Sequence, residues 1–263
     1  MSRSDVLVEL EHGVLRTKAR GKGATPRLVV SSSHLPVREQ DGNQRPEIAR
    51  MDGIEKTYPR GAEVVHAVRG ADVALKEAEM VGLIGRSGSG KTTLLNIMAG
   101  WERPDVGSVA VAGRDPSSYP FPWKEVAVVP QRLGLMEELT IRENVEYPAR
   151  LSGCLQERGQ AIDELVEALG LTGMESRFPH EVSVGEQQRA ALARAMVLSP
   201  LLLLAEEPVG HQDSGWAVTV FEVLRRRVRE GTCCLAATHD EEAISYVDRL
   251  LSMSDGRVTE MSA

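Results

Sequence analysis

Apolar and polar positions alternate along the chain in a way that predicts short strands separated by helices from residue 48 onward. Runs rich in β-branched and other apolar side chains predict strands, at residues 63–68, 80–84, 108–111, 125–129, 201–204 and 233–237. Apolar residues that recur every three or four positions predict helices, at residues 92–100, 160–169, 186–198 and 216–229. In the second of these helices, Ile162, Leu165, Val166 and Leu169 form a stripe expected to face the core. Strands that alternate with helices predict an α/β fold with a mainly parallel sheet.

The composition narrows the class of protein. The chain has 263 residues, of which 42% are hydrophobic and 26% charged, as expected for a globular protein of one or two domains. Its apolar runs are far shorter than the roughly 18 residues that a membrane-spanning helix needs, and its N-terminal region lacks the apolar stretch of a secretory signal. Three cysteines are too few for a disulfide framework. The formal charge of −7 argues against general binding to nucleic acid, so we expect a cytoplasmic protein with other partners.

Residues 1–47 differ from the rest of the chain. Five basic residues stand close together among small side chains: Arg16, Lys18, Arg20, Lys22 and Arg27. A stretch rich in turn-forming residues follows at residues 31–46. This composition predicts a disordered or loosely attached extension before a folded domain at residues 48–263. Alternatively, the basic run could rest on an anionic membrane surface, where each charge contributes about 1 kcal/mol.

A glycine-rich motif follows the apolar run at residues 80–84. It reads Gly-Arg-Ser-Gly-Ser-Gly-Lys-Thr from Gly85 to Thr92, here called the phosphate loop, and leads into a helical pattern, which is the context that this motif requires. Glycines let consecutive backbone N–H groups point at phosphate oxygens, and the helix N-terminus adds partial positive charge. Lys91 is expected to reach the β- and γ-phosphates, and Thr92 to offer its hydroxyl to Mg²⁺. The motif predicts nucleoside triphosphate binding and by itself leaves kinases, GTPases and motor ATPases open.

Further motifs follow the phosphate loop in a set order. Gln131 comes after an apolar strand, and the sequence Val-Ser-Val-Gly-Glu-Gln-Gln-Arg at residues 182–189, here called the signature segment, opens a helix. The next apolar strand ends in Glu206 and Glu207, and His239 follows the last apolar strand. The order of these motifs chooses among the nucleotide-binding proteins that the loop alone leaves open.

In this combination the motifs resemble those of the ATPase subunit of ATP-binding-cassette (ABC) transporters. The resemblance extends from about residue 48 to 258. It implies a P-loop NTPase core with a mainly parallel sheet, an N-terminal antiparallel β portion and a helical subdomain at about residues 133–183. Stretches at residues 94–100, 103–107 and 139–148 also resemble the subgroup that serves lipoprotein-releasing and macrolide-exporting permeases.

The resemblance also implies which residues bind ATP. Tyr58 corresponds to the aromatic residue that stacks on adenine, and Ser183 and Gly185 correspond to the signature that closes over the γ-phosphate of a partner's nucleotide. Asp213 corresponds to a loop that crosses the dimer interface. The implied set for ATP is Tyr58, Gly85, Ser87, Gly88, Ser89, Gly90, Lys91, Thr92, Thr93, Ser183, Gly185, Glu186 and Asp213.

Catalysis and Mg²⁺ binding are implied for a second, overlapping set. The catalytic residues are Lys91, Gln131, Glu207 and His239, and the Mg²⁺ ligands are Thr92, Gln131 and Glu206, with Glu206 acting through water. Glu207 corresponds to the carboxylate that polarises the attacking water, and His239 to the histidine that senses the γ-phosphate. Gln131 corresponds to the glutamine that touches both the ion and the water.

Two positions depart from the family pattern. Glu206 stands where aspartate is usual, and its extra methylene is expected to shift the ion that it helps to hold. Val184 stands where the signature usually has glycine, and its β-branched side chain restricts the backbone there. Because phosphoryl transfer depends on positioning, we expect an ATPase that these two residues slow.

The resemblance implies that two chains sandwich ATP and drive a separate integral membrane permease. We therefore expect a homodimer on the cytoplasmic face, in contact with the membrane only through the permease and not with nucleic acid. The expected function is the ATP-hydrolysing subunit of an exporter-type ABC transporter. Two alternatives remain open: a regulatory nucleotide-binding subunit with little hydrolysis, and a soluble ABC ATPase that does not serve transport. These motifs do not specify the transported substrate or the direction of transport.

Overall fold

The computed structural model describes residues 45–61, 63–118, 121–239 and 245–261, together with the backbone of two N-terminal strands. These strands, β1 (Leu7–Glu11) and β2 (Val14–Lys18), pair with each other in antiparallel fashion. They belong to one compact unit, Met1–Gln44, and the remaining elements belong to a second unit, Arg45–Ala263. Of the predicted N-terminal extension, residues 1–6, 12–13 and 19–44 lie outside the described residues, so its loose attachment stays a prediction.

Six strands of the second unit form one sheet. They are β5 (Met80–Ile84), β7 (Val126–Val129), β8 (Leu202–Glu206), β9 (Cys233–Thr238), β10 (Arg249–Ser254) and β11 (Arg257–Met261). Their order across the sheet is β11-β10-β5-β9-β8-β7, and the pairs from β10 to β7 are all parallel. Only β11 runs antiparallel, beside β10. The predicted mainly parallel sheet is confirmed.

A second sheet is antiparallel and has three strands in the order β4-β3-β6. These strands are β3 (Glu47–Arg60), β4 (Glu63–Lys76) and β6 (Val106–Val111), and they confirm the expected antiparallel β portion. The pattern predicted only the first six residues of β4 and no strand at β3. Register shifts interrupt the pairing of β3 with β4, for example between Met51 and Ile54, and such bulges disturb the two-residue alternation by which a strand is recognised.

The described part of the chain contains five α-helices: α1 (Lys91–Met98), α2 (Ile141–Leu151), α3 (Leu155–Ala168), α4 (Val184–Met196) and α5 (Ser214–Arg229). All four predicted helices are present with shifted ends, and α2 was not predicted. Pro148 lies inside α2 and weakens its sequence signal. A capping box starts this helix, because Thr140 accepts from the Glu143 backbone N–H while Thr140 N–H donates to the Glu143 carboxylate. Helices α2 and α3 and a short 3₁₀ turn at Pro179–Glu181 lie within residues 133–183.

The parallel sheet separates two hydrophobic cores. Alternate residues of β8 enter opposite cores: Leu203 joins the core formed with α2 to α5, and Leu202 and Leu204 join the core formed with α1 and the antiparallel sheet. β8 and β9 are buried along their whole length, as expected for strands covered on both faces. The predicted core stripe of α3 is confirmed, since its members are at most 3% exposed. Among the described residues, no helix is long and apolar enough to span a membrane.

Candidate active site

The candidate catalytic residues follow the carboxyl ends of neighbouring parallel strands. The phosphate loop follows β5, His239 follows β9, Glu207 follows β8 and Gln131 follows β7. The register brings these strand ends level: Ile84 pairs with Thr238, Glu206 with Ala237 and Val129 with Ala205. Open α/β sheets bind ligands at this edge. The structure therefore gathers residues that are up to 154 positions apart in the sequence, counting from Gly85 to His239.

The two glycines of the phosphate loop with positive φ have different surroundings. Gly90 has φ +111°, and a Cβ there would lie 2.2 Å from the carbonyl oxygen of Ala67, so only glycine fits against β4. Gly88 has φ +78°, and a Cβ there would meet nothing within 4 Å. Gly90 therefore allows the loop to pack closely against β4, and Gly88 leaves the backbone open to a phosphate group.

Lys91 and Ser89 show that the loop fits a polyphosphate. The Lys91 side chain is 8% exposed, and its Nζ donates to the carbonyl oxygens of Gly85 at 2.6 Å and Arg86 at 3.2 Å. This places the ammonium group beside the loop backbone. Ser89 Oγ is buried without a hydrogen-bond partner among the described residues. An unsatisfied buried hydroxyl costs about 1–3 kcal/mol, and a phosphate oxygen would supply the acceptor that it lacks.

Two of the three expected Mg²⁺ ligands are in contact. Thr92, in the first turn of α1, donates its hydroxyl hydrogen bond to Oε1 of Glu206 at the end of β8. Glu206 is 8% exposed. A hydroxyl and a carboxylate are the hard oxygen ligands that Mg²⁺ prefers, so this pair fits the ion. Gln131, the third expected ligand, is exposed in the loop after β7.

Glu207 has a strained backbone that several hydrogen bonds hold in place. Its φ is +50°, in the left-handed region that non-glycine residues rarely occupy. Its N–H donates to the Ala237 carbonyl at 2.7 Å, and its carbonyl accepts from Gln188 Nε2 and from Gly210 N–H at 3.1 Å. Strain of this kind costs about 1–3 kcal/mol and is concentrated at functional sites.

The carboxylate of Glu207 contacts a second catalytic candidate, His239. Nδ1 of His239 lies 2.8 Å from Glu207 Oε1, and Thr238 Oγ1 donates to Oε2 at 3.0 Å. The imidazole of His239 is otherwise open, because its side chain is 71% exposed. The sequence assigned these two residues to separate roles and gave no sign that they form a pair.

Ser183 and Glu186 of the signature segment cap helix α4. Ser183 N–H donates to Glu186 Oε2 at 2.7 Å, and Glu186 N–H donates to Ser183 Oγ at 3.3 Å. The bond from the Ser183 backbone is the main cause of a Glu186 pKa below its ordinary value. A Cβ at Gly185 would lie 2.9 Å from the His211 carbonyl oxygen, so glycine allows the following loop to approach the helix. Val184 is 50% exposed beside this end of α4.

A surface depression surrounds this end of α4. It is lined by Ser183, Val184, Gly185, Glu186, Arg189, His211, Gln212, Asp213 and Trp216. Asp213 caps α5 by accepting from Trp216 N–H at 3.0 Å. None of the lining residues belongs to the phosphate loop. The phosphate loop and the signature depression are both expected to contact ATP, and they share no residue within one chain.

Tyr58 lies near the end of β3, where it is half-buried. Lys56 Nζ is 5.5 Å from the centre of its ring. Lys56 is itself held by Glu102 at 2.9 Å and Asp105 at 3.2 Å, and the hydrogen bond with Glu102 is the main cause that raises the Lys56 pKa. These contacts fix one side of the ring. Adenine stacking on Tyr58 stays a prediction.

Sequence reasoning missed the roles of two residues, Gln188 and Arg189, that organise the signature segment. Gln188 is 2% exposed and bonds to the backbone of Glu207. Arg189 donates to the Leu169 carbonyl at 2.8 Å, and its guanidinium lies 4.0 Å from the centre of the Trp216 ring. Burial lowers the Arg189 pKa. The only sequence signal was the presence of two adjacent polar residues in a helix whose other buried positions, apart from Arg194, are apolar.

Comparison with known proteins settles the family. Residues 68–210 match the ABC transporter family. The chain belongs to this family. It is 38% identical over 220 residues to the lipoprotein-releasing system ATP-binding protein LolD of Maricaulis maris, which spans 81% of this chain and 96% of that protein. It is 35% identical to the macrolide export ATP-binding/permease protein MacB of Chlorobium luteolum, over 78% of this chain and 32% of that protein.

Solved structures agree with this assignment. The dimeric ATP-binding cassette MJ0796 in a post-hydrolysis state, bound to ADP and phosphate, superimposes with a TM-score of 0.74 at 27% identity, over 82% of this chain and 98% of that one. A further dimeric structure of the same cassette gives the same TM-score at 26% identity. The chain is thus an ABC ATPase, with ATP as substrate and Mg²⁺ as cofactor. The family match includes Lys91, Gln131, Ser183 and Glu207 and excludes Tyr58.

Proposed function

We propose that the chain is the ATP-hydrolysing subunit of an exporter-type transporter, and that it works as a homodimer bound to a separate membrane permease at the cytoplasmic face. The dimeric structures of the similar MJ0796 cassette carry the proposed dimer. In agreement with them, the signature depression contains no residue of the phosphate loop. The net charge of −7 favours protein partners over nucleic acid.

The names and lengths of the relatives support a separate permease. The lipoprotein-releasing protein, named only as an ATP-binding protein, is matched over 96% of its length. The macrolide-exporting protein is named as an ATP-binding and permease protein and is matched over 32% of its length. This chain matches the ATP-binding part of both relatives, and its similarity over nearly the whole length of the lipoprotein-releasing ATP-binding protein supports a permease on a different chain.

The residues at the sheet edge would divide the reaction among them. Backbone N–H groups of the phosphate loop and Lys91 bind and orient the phosphates. The carboxylate of Glu207 takes the proton of the attacking water, and its bond to His239 keeps that carboxylate directed. Mg²⁺, held by Thr92 and Glu206, neutralises phosphate charge when bound.

Closure of the dimer would then convert binding energy into movement. Ser183 and Gly185 of one chain would close over the nucleotide held by the other, at a helix N-terminus that favours anions. Loss of the γ-phosphate contact would release the two chains. The permease moves only as far as the difference in affinity between ATP-bound and ADP-bound forms allows.

Size-exclusion chromatography with Glu207→Gln, which retains the nucleotide site and removes the base, tests this function. We expect a dimer with ATP and Mg²⁺ and a monomer with ADP. The matched control is the double variant with Lys91→Ala, which should remain a monomer with either nucleotide. A dimer that forms equally without ATP would contradict the proposed cycle. Recovery in the membrane fraction only when a permease is co-expressed would support transport, and recovery with ribosomes or DNA would favour the soluble alternative.

One observation favours a second candidate, a regulatory subunit with little hydrolysis. Glu206 reaches the Thr92 hydroxyl with a carboxylate one methylene longer than the usual aspartate, and this extra length is expected to displace the ion from the position that fast hydrolysis requires. Phosphate release by the native chain, compared with Glu207→Gln, separates the two functions. Release above the Glu207→Gln level supports a working ATPase, and equal release supports the regulatory subunit.

A further inference from the structure

We propose that Gln188 is a positioning residue that connects the signature segment to Glu207 and sets the direction of the catalytic carboxylate. This inference rests on the catalytic role proposed above for Glu207. Gln188 lies in the second turn of α4 and is 2% exposed. Among the described residues its side chain makes no hydrogen bond to the phosphate loop or to the carboxylate itself, so we expect its effect on hydrolysis to pass through the backbone of Glu207.

The hydrogen bonds of Gln188 leave only one orientation for its amide. Its Oε1 accepts from the His211 backbone N–H at 3.3 Å and from Gln212 Nε2 at 3.0 Å. Both partners are donors, so they require the oxygen on that side. The NH₂ group must therefore face the Glu207 carbonyl, to which it donates. Each side of the amide is matched to its neighbours.

The bond to the Glu207 carbonyl acts on a residue that needs support. A glutamate with φ +50° relaxes unless its surroundings hold it. Three bonds hold this peptide, from Glu207 to Ala237 and from Gln188 and Gly210 to Glu207. The bonds to Ala237 and Gly210 come from the strand β9 and the turn after β8. Gln188 supplies the only one of these three that comes from α4.

The side chain of Gln188 is also connected to Gly185 of the signature segment through Gln212. Gln212 Nε2 donates to both Gly185 O, at 2.9 Å, and Gln188 Oε1. Gly185 lies one turn before Gln188 at the start of α4. A shift of this helix end, when it meets the partner's nucleotide, would move the Gln188 amide and with it the Glu207 carbonyl. When the signature segment of a chain closes on the partner's nucleotide, the Glu207 carboxylate of the same chain would thereby be aligned with the nucleotide that this chain itself binds.

Two substitutions at residue 188 separate the bond to Glu207 from the rest of this network. Gln188→Glu keeps the length of the side chain and an oxygen for His211 and Gln212, and it replaces the donor to Glu207 by an acceptor. Gln188→Met removes every hydrogen bond. Gln160→Met is the matched control, because Gln160 Nε2 donates to the Glu164 carboxylate at 3.1 Å within α3, outside the signature segment.

Steady-state ATP hydrolysis by the full chain is the first measurement. Misplacement of a catalytic group by about 1 Å can cost about 100-fold in rate, so we expect Gln188→Glu and Gln188→Met to lower kcat by about 10- to 100-fold with KM changed by less than about threefold. Gln160→Met should retain both constants. Circular dichroism confirms folding, and Gln188→Glu serves alone if Gln188→Met does not fold.

A double variant distinguishes positioning from a general loss of structure. In the Glu207→Gln background the carboxylate is already absent, so adding Gln188→Glu should leave the residual rate unchanged. A further loss of rate in the double variant would overturn the role of Gln188. An unchanged kcat in the single variants, with or without a rise in KM, would overturn it as well. Native turnover no higher than that of Glu207→Gln would instead overturn the catalytic role of Glu207 and the positioning role with it.

Discussion

The hydroxyl of Thr92 donates a hydrogen bond directly to Glu206 Oε1 and so joins the start of α1 to the end of β8. The long side chain of glutamate makes this contact possible, since aspartate would withdraw the carboxylate by one methylene. This bond uses the hydrogen of the hydroxyl and leaves the Thr92 oxygen available to Mg²⁺, whose octahedral coordination at about 2.0–2.1 Å tolerates little displacement of the neighbouring carboxylate. The glutamate that replaces the usual aspartate at residue 206 therefore alters the Mg²⁺ site through its contact with Thr92.

Shortening Glu206 should move its carboxylate back to the usual position. We expect Glu206→Asp to raise the turnover of ATP by about three- to tenfold, because the ion and, with it, the phosphates are then better aligned. Phosphate release measures the rate, and electron paramagnetic resonance of Mn²⁺ measures ion affinity, which should rise in parallel. A variant that binds Mn²⁺ less tightly and hydrolyses no faster would show that the longer side chain is not the cause of slow turnover.

Removing the ammonium group of Lys91 should abolish nucleotide binding. Its Nζ lies at the loop backbone, 2.6 Å from the Gly85 carbonyl, and charge-assisted bonds to phosphate contribute about 1.5–3 kcal/mol each. We expect Lys91→Ala to weaken ATP binding by about 100-fold or more in isothermal titration calorimetry. Lys124→Ala, which removes an exposed lysine, is the control and should bind as the native chain does. Equal affinities in the two variants would exclude the loop as the phosphate site.

Gly170 should tolerate no side chain, because Trp216 occupies the space. A Cβ at Gly170 would lie 2.0 Å from the Trp216 ring, whereas a Cβ at Gly153 would meet nothing within 4 Å. Both glycines have positive φ, +62° and +69°, so alanine costs about 1–2 kcal/mol of backbone strain at each. Overpacking adds about 1–3 kcal/mol at Gly170 alone.

Urea unfolding of Gly170→Ala and Gly153→Ala measures this difference. We expect Gly170→Ala to lose the larger share of the free energy of unfolding, together with the contact of Arg189 on Trp216. Equal losses in the two variants would mean that Trp216 moves away without cost.

The cap of α4 should weaken in acid. The Glu186 pKa is lowered in the folded chain by its bond from Ser183 N–H. Glu186 therefore stabilises the fold above the ordinary glutamate pKa of about 4.3, and this contribution disappears as the pH falls through the lowered value. Glu186→Gln keeps an acceptor that does not titrate, so its free energy of unfolding should fall less between neutral and acid pH.

Chemical denaturation at several pH values tests the acid effect. Glu222→Gln, on the exposed face of α5, controls for the loss of one negative charge elsewhere. An acid loss for Glu186→Gln as large as that of the native chain would assign the pH dependence to other groups.

The sequence predicted best where a local pattern and a motif coincide. The strand at Met80–Ile84, the phosphate loop and α1 follow one another without interruption, and each carries its own signal. The bulged strand β3 and the helix α2 were missed because register shifts and Pro148 break the periods by which they are recognised. In α2 the structure forms through the capping box at Thr140 and the buried Asn144, which bonds to Met136.

The pairing of site residues could not be predicted, because it depends on which strands become neighbours. Glu207 and His239 are 32 positions apart, and Gln188 and Glu207 are 19 apart. The sheet order places β9 beside β8, and α4 packs behind their ends. The sequence identified each catalytic candidate by resemblance and gave no indication of their direct contacts.

Because Glu207 has a left-handed backbone conformation, selection for heat resistance and selection for turnover favour different residues at this position. Glycine and asparagine adopt this conformation at lower cost than glutamate. A library randomised at residue 207 and screened only for survival after heating should therefore become enriched in these two residues, while a screen for released phosphate should retain glutamate. A cassette that had abandoned hydrolysis during evolution would be free to gain thermal tolerance at this single position, and a glycine or asparagine there would mark it.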